Sequence, residues 1–217
     1  MYSIPDWFHE SLPRLKFLDL SSNFLQGIIP DVLGNMTSMV TLDLLDNQLE
    51  GLIPTSLENV TSLITLDLSY NQLVGSSATF LGNATSLVTL DLSHNQLEGP
   101  IPTSLGNFIS LVILDLTHNQ LKGSILTSLG KVTSLIILDL SLNQLSGNLT
   151  DHFEKFKNVI KMDFSRNKIG GQLPRSLGKL SSLRALILSS NHFSGNPFES
   201  LRSLSKLSYL NIGDNCF

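Results

Sequence analysis

The sequence has little cysteine and little charge. Cys216 is the one cysteine among 217 residues, so the chain alone can form neither an internal disulfide nor a thiolate metal cluster. Charged residues make up 15% of the chain and the formal net charge is -4. Nothing in the sequence forms a basic stripe, so we expect no nucleic-acid partner. Residues 2–6, after Met1, have neither the basic nor the apolar region of a signal peptide.

Long apolar runs and catalytic motifs are also missing. No run approaches the ~18 apolar residues that a membrane helix needs, so any membrane attachment would depend on segments absent from this chain. There is no nucleophile elbow, no H-E-x-x-H, no phosphate loop and no G-x-G-x-x-G of a kinase, and the histidines lack metal-ligand spacing. We therefore expect no enzyme activity, no cofactor and no metal. An apolar content of 41% still favours a folded chain.

What the sequence does have is a 24-residue repeat. Glycine follows each of the first eight repeated asparagines by four residues, and apolar residues precede every one by five and by three. The asparagines are Asn23, Asn47, Asn71, Asn95, Asn119, Asn143, Asn167, Asn191 and Asn215. A fixed period over the whole chain predicts stacked units that share one core.

Each part of the unit has a physical role. The L-x-L segment alternates with period two, which predicts a short strand that stacks on its copies as a parallel sheet. The asparagine amide can satisfy backbone groups at the bend after each strand. Glycine permits the next turn, and Ile-Pro, as at Ile101-Pro102, predicts an extended segment. Ser104–Asn107 and its copies predict a short helical turn.

The unit L-x-x-L-x-L-x-x-N-x-L-x-G-x-I-P-x-x-L resembles the leucine-rich repeat family. Its G-x-I-P element is similar to the plant-type subclass found in extracellular receptors. The resemblance implies an α/β right-handed solenoid, a horseshoe or superhelix, with short parallel strands on the concave face and 3-10 or helical turns on the convex back. It also implies that variable positions on the concave face hold the ligand.

We predict one array over residues 1–217, of about nine 24-residue repeats and cut within a repeat at both ends. Residues 4–8 match residues 29–33, so the chain begins in the back half of a unit, and Asn215 lies in the front half of another. Around residues 151–157 the back becomes charged and aromatic. A domain boundary there is the alternative to a continuous solenoid with a locally different surface.

One concave column is almost uniformly acidic. Aspartate lies between the strand leucines at Asp19, Asp43, Asp67, Asp91, Asp115, Asp139 and Asp163. Carboxylates about 5 Å apart repel one another, and serine or threonine two residues later could donate hydrogen bonds to them. The column is interpreted as a scaffold ladder, with a cation-binding row or an acid/base pair as alternatives.

A second column, immediately before the repeated asparagine, varies. It brings Tyr70, His94 and His118 side by side, with Arg166 two strands further on. Asp91 and Asp115 lie nearby and favour protonated imidazole, whereas two stacked imidazoles disfavour being charged together. We predict that these six residues contact a ligand and respond to mildly acidic pH; neutral drift of an exposed column is the alternative.

Four N-x-S/T sequons indicate a secreted chain. They begin at Asn35, Asn59, Asn83 and Asn148, and the first three form one row on the back. Duplication of one ancestral repeat would produce the same row without any glycan.

The resemblance implies a ligand-binding ectodomain fragment of a plant receptor-like protein or receptor kinase, on the extracellular side of the plasma membrane. The implied partners are an extracellular peptide, glycan or protein and a co-receptor kinase, in defence or developmental signalling. The alternatives are a secreted inhibitor similar to polygalacturonase-inhibiting proteins and an intracellular interaction scaffold.

Overall fold

The computed structural model describes residues 2–76, 85–125, 129, 132–151 and 153–217. The strands of this part of the chain form two parallel sheets that run the length of a solenoid. We call each 24-residue turn a coil and number the strands in chain order. The architecture is the predicted α/β solenoid.

The first, concave sheet has nine strands in the described part of the chain, each three residues long. They are β1 (Phe17–Asp19), β3 (Thr41–Asp43), β5 (Thr65–Asp67), β7 (Thr89–Asp91), β9 (Ile113–Asp115), β11 (Ile137–Asp139), β13 (Lys161–Asp163), β15 (Ala185–Ile187) and β17 (Tyr209–Asn211). Neighbours pair in parallel with partners 24 residues apart, as Leu42 with Leu66. Leu42 and Leu66 are buried, so each strand contributes one rung to the core.

The second, lateral sheet was not predicted from the sequence. Its eight described strands are β2 (Gln26–Ile28), β4 (Gln48–Leu52), β6 (Gln72–Ser76), β8 (Gln96–Pro100), β10 (Gln120–Gly123), β12 (Gln144–Asn148), β14 (Lys168–Gly171) and β16 (His192–Phe193). Partners are offset by 22 residues, as Gln26 with Gln48. A glycine at positive φ, such as Gly99 at 80°, turns the chain within this sheet.

Short 3-10 turns form the back, as predicted. They are η1 (Asp31–Asn35), η2 (Thr55–Asn59), η3 (Thr103–Asn107), η4 (Phe153–Lys155) and η5 (Arg175–Lys179), with short helices α1 (Phe8–Ser11) and α2 (Phe198–Leu201) near the two ends. The extended Ile-Pro step leads into η3, because Pro102 has ψ 139°. The helices in the described part of the chain are all too short and too polar to cross a bilayer.

The solenoid is continuous across residues 151–157. Strand β11 pairs with β13, and β12 pairs with β14, without a break. The aromatic residues of this segment are buried: Phe153 and Phe156 have ring centroids 6.0 Å apart within the core. The expectation of an aromatic surface was wrong, since both rings occupy core positions of the repeat, whereas Asp151, Lys155 and Lys157 are exposed.

The repeated asparagines form the predicted ladder. Asn95 shows the pattern: its Nδ2 donates to the carbonyl of Leu68 in the preceding coil at 2.9 Å, and to those of Ser93 and Leu92 in its own coil. Its Oδ1 accepts from the N–H of Leu73 at 2.9 Å. Seven of the asparagines, from Asn47 to Asn191, are buried. Each amide therefore ties two coils together and satisfies backbone groups that water cannot reach.

Candidate ligand-binding surface

The variable column lies at a sharp corner where each concave strand ends. The nine residues immediately before the ladder asparagines all have φ between 51° and 56°, the left-handed region, although none is glycine. The N–H of His94 donates to the carbonyl of Thr117 in the next coil at 2.8 Å, and that of Tyr70 donates to Ser93 at 3.0 Å. Because these bonds fix every corner in the same way, side chains of neighbouring coils project in register.

Tyr70, His94 and His118 stack at these corners. The ring centroids of Tyr70 and His94 are 4.0 Å apart with the planes inclined by 14°, and those of His94 and His118 are 4.5 Å apart at 20°. Tyr70 and His118 are exposed, whereas His94 is half-buried between them. The structure thus places the three rings side by side, as the repeat spacing predicts. They form one rigid surface that is apolar on its faces and carries polar atoms at its edges.

Arg166 is not part of this stack. It is exposed at the corner two coils beyond His118, with the half-buried Leu142 between them. The structure therefore brings three of the four predicted corner residues together and leaves the arginine as a separate cation on the same row.

The stack favours a neutral imidazole at its centre. Burial lowers the pKa of His94 below its ordinary value, and the neighbouring His118 lowers it further, while Asp115 acts in the opposite direction. A second positive charge next to His118 is thus disfavoured. A neutral His94 ring has one nitrogen that donates and one that accepts a hydrogen bond.

The aspartates end the concave strands, three residues before the corner column. The hydroxyl of Ser69 donates to Oδ1 of Asp67 at 2.6 Å, and the N–H of Ser69 donates to the same atom. Burial raises the pKa of Asp91 to about 6, against the hydrogen bonds from Ser93, and the Asp115 and Asp67 charges add to the rise. Burial likewise raises the pKa of Asp115. The serine and threonine donors predicted for this column are present.

Lys161 was missed by sequence reasoning. Its Nζ lies 2.8 Å from Oδ2 of Asp139, whose Oδ1 accepts from the hydroxyl of Thr117 in the preceding coil. Burial alone would raise the pKa of Asp139, but the hydrogen bonds from Lys161, Ser141 and Thr117 lower it. The available signal was one lysine in a strand position that threonine or isoleucine fills in the five preceding coils.

The sequons lie on two different faces. Asn35 and Asn59 are exposed at the last positions of η1 and η2 on the back, and Asn148 is exposed on lateral strand β12. Asn83 lies outside the described residues. In the described part of the chain no three His, Cys, Asp or Glu side chains are arranged to hold a metal ion.

The sequence matches the family profile of the leucine-rich repeat at residues 37–97, 62–121 and 133–193, and a single-repeat profile at residues 14–36. A search of curated proteins found no match.

Among solved structures, the chain is similar to the leucine-rich repeat ectodomain of the plant membrane receptor kinase GASSHO1/SCHENGEN3 from Arabidopsis thaliana, in complex with CASPARIAN STRIP INTEGRITY FACTOR 2. The identity is 36% and the TM-score 0.94, over 99% of this chain and 26% of that one.

Two further structures are similar. The Arabidopsis receptor kinase HAESA, in complex with the peptide hormone IDA and the co-receptor SERK1, is 30% identical with a TM-score of 0.77, over 98% of this chain and 39% of that one. A plant ice-binding protein is 32% identical with a TM-score of 0.87, over 99% of this chain and 69% of that one. The chain therefore spans well under half of either receptor.

Proposed function

The chain belongs to the leucine-rich repeat family, and from that membership we propose that it is part of the ligand-binding ectodomain of a plant cell-surface receptor. The ligand is an extracellular peptide or a segment of a protein that lies along the concave sheet. Similarity to receptor ectodomains that hold peptides supports this assignment.

The observation that carries the proposal is the Tyr70–His94–His118 stack. The leucine, aspartate and asparagine columns of the scaffold hardly vary, whereas the corner column changes from coil to coil and here brings one tyrosine and two histidine rings into contact. Pre-ordered aromatic side chains lose little conformational entropy on binding and are frequent interface anchors. A peptide could pack an apolar or aromatic side chain on the stack and hydrogen-bond to its nitrogens.

The assembly and location follow from the same proposal. The parent protein presents this array on the extracellular side of the plasma membrane and acts with a co-receptor kinase, as HAESA does with SERK1. Its signalling role would be in defence or development. A glycan ligand is a variant of the proposal, since aromatic rings and carboxylates also suit sugars.

The test is selection of binders from a phage-displayed library of random short peptides. We expect enriched peptides that lose about tenfold or more in affinity for the double variant His94→Ala/His118→Ala. Gln96→Ala/Gln120→Ala is the matched control, because these exposed residues lie in the same two coils but on the lateral sheet. Peptides that bind wild type and the histidine variant equally well would refute the site.

The secreted-inhibitor alternative gives a different outcome. An inhibitor would slow the hydrolysis of polygalacturonate by a fungal polygalacturonase in a direct assay, and would do so without any selected peptide. Under the receptor proposal the enzyme rate stays unchanged when the chain is added.

A further inference from the structure

Charge is segregated along the solenoid, although the net charge conceals it. Residues 1–120 carry two lysines and arginines against twelve acidic residues, whereas residues 121–217 carry twelve against six. The formal charge is therefore -10 in the first part and +6 in the second, which together give the -4 of the chain. The net charge of the whole chain therefore conceals an excess of basic residues in the later coils.

One column of the back follows this division. Each of the five 3-10 turns ends at the same position of the repeat, which is asparagine in the earlier coils and lysine in the later ones. The described members are Asn35, Asn59, Asn107, Lys155 and Lys179. In the sequence the same position is held by Asn83 and Lys131, which lie outside the described residues.

Three lysines on the back of the later coils are exposed cations. Lys155, Lys157 and Lys179 are all exposed, and none takes part in either ion pair found among the described residues. A shallow depression of about 540 Å³ lies beside Lys155 and Lys157, and its lining is completed by Thr133, Glu154 and Asn158. We call Lys155, Lys157 and Lys179 the basic back.

In this column of the back, the sequons stop before the lysines begin. Asn35 and Asn59 start sequons, Ile109 removes the sequon at Asn107, and lysine takes the place of asparagine in the next three coils. The remaining sequon, at Asn148, lies on the lateral sheet. Glycans on the earlier coils would cover the back there and leave the basic back open. The asparagine part of the column would thus be covered by glycans, and the lysine part would be accessible to a binding partner.

We propose that the basic back binds a linear polysaccharide that carries a carboxylate on each sugar, which also rests on the proposed extracellular function. Lysine ammonium groups are point charges without the planar fork of arginine, so they suit repeated single carboxylates. Lys155 and Lys179 place one cation in each of two successive coils along the back, an arrangement that fits a linear chain better than a flat bilayer. Ligands of the concave face would remain free to bind.

The experiment measures binding of polygalacturonate to the glycosylated chain by affinity electrophoresis at several salt concentrations. We expect Lys155→Ala/Lys179→Ala to weaken binding about tenfold and to reduce its salt dependence. Lys122→Ala/Lys168→Ala removes the same charge from exposed sites on the lateral sheet and should leave binding within about twofold of wild type.

Control ligands in the same experiment determine which class of molecule binds. Fully methyl-esterified polygalacturonate keeps the sugar backbone without the charge and should not bind. Equal weakening in the two lysine variants, or equally tight binding of duplex DNA or phosphatidylserine vesicles, would overturn the proposal. The variant His94→Ala/His118→Ala should bind polygalacturonate normally, so failure here and failure of the peptide selection are distinguishable.

Discussion

At the scale of single residues, the repeated asparagine holds the coils together. A buried donor or acceptor without a partner costs far more than a hydrogen bond contributes on average. Asn95 satisfies three carbonyls with its amide and one N–H with its oxygen, in two adjacent coils. Removing it leaves groups of both coils unpaired in a site that is closed to water.

We predict that Asn95→Ala lowers the free energy of unfolding by about 3 kcal/mol in urea denaturation. The matched control is Asn107→Ala, an exposed asparagine at the end of η3, which should change it by less than about 0.5 kcal/mol. Equal effects of the two substitutions would mean that the ladder does not bear on stability.

The aspartate column gives a pH-dependent prediction. Since the pKa of Asp91 rises from 3.8 to about 6 on folding, the folded chain binds more protons between these values and loses stability as pH rises through them. Asp91→Asn should therefore be more stable than wild type at neutral pH, by about 1 kcal/mol after allowance for solvent screening. The difference should vanish in acid, below the ordinary aspartate pKa.

Asp139 should behave in the opposite way, because Lys161 and two hydroxyls lower its pKa. Asp139→Asn should be less stable than wild type at neutral pH, and that deficit should shrink as pH falls through the lowered pKa. Thermal unfolding of the wild type and of both variants across the pH range measures whether each substitution raises or lowers the stability. A destabilising Asp91→Asn at neutral pH would contradict the assigned cause.

Most of these single-residue roles can be predicted from the sequence, because residues that are 24 positions apart lie next to each other in the stack of coils. The spacing predicts that Tyr70 and His94 are neighbours, and the rings do stack. It does not predict the left-handed φ of those corners, since the column also holds tyrosine, leucine and arginine, which rarely adopt it. Nor does it predict the ion pair between Lys161 and Asp139 of the preceding coil, because that contact depends on the rotamer of the lysine side chain and not on the spacing of the repeat.

At the scale of elements, each coil combines a concave strand, a lateral strand and, in most described coils, a 3-10 turn on the back. The lateral sheet escaped prediction because glycine at positive φ interrupts its alternation, so that Gln96–Pro100 appears as a turn in the sequence. The signal that could have found it was the column of glutamines repeated at Gln48, Gln72, Gln96, Gln120 and Gln144, each followed by a buried leucine.

The close approach of neighbouring 3-10 turns gives a prediction about glycine. A Cβ on Gly34 in η1 would lie inside contact distance of the backbone carbonyl of Ser56 in η2, which cannot move aside as a side chain could. We expect Gly34→Ala to cost about 2 kcal/mol. Glu58→Ala, at the same position of the next coil, should cost less than about 0.5 kcal/mol. Circular dichroism during thermal unfolding compares the two, and similar melting temperatures would argue against this packing.

At the scale of the whole molecule, the two binding surfaces proposed above lie on different faces of the solenoid. The concave sheet presents the Tyr70–His94–His118 stack, and the back carries first a row of sequons and then the basic back. A repeating scaffold permits this because each column can change without disturbing the core. Family membership and fold could be predicted from the period of the repeat. The identity of the ligand could not, because it depends on the few columns whose residues vary from coil to coil.

The sequon row gives a prediction for the glycosylated protein. Secreted from a plant or insect cell, the chain should carry glycans at Asn35 and Asn59, since both are exposed at the ends of 3-10 turns. Asn35→Gln and Asn59→Gln should each remove one glycan mass in intact-protein mass spectrometry, whereas Asn107→Gln should remove none. Unmodified Asn35 and Asn59 in the secreted chain would count against the extracellular assignment.

The central claim is that the concave corners recognise the ligand. A peptide selected for binding, synthesised with a photoreactive side chain, can be cross-linked to the intact chain and the sites mapped by mass spectrometry. The account predicts cross-links at and around Tyr70, His94 and His118, and their loss under competition with unlabelled peptide. Competed cross-links that fall instead on the lateral strands or on the 3-10 turns of the back would contradict it.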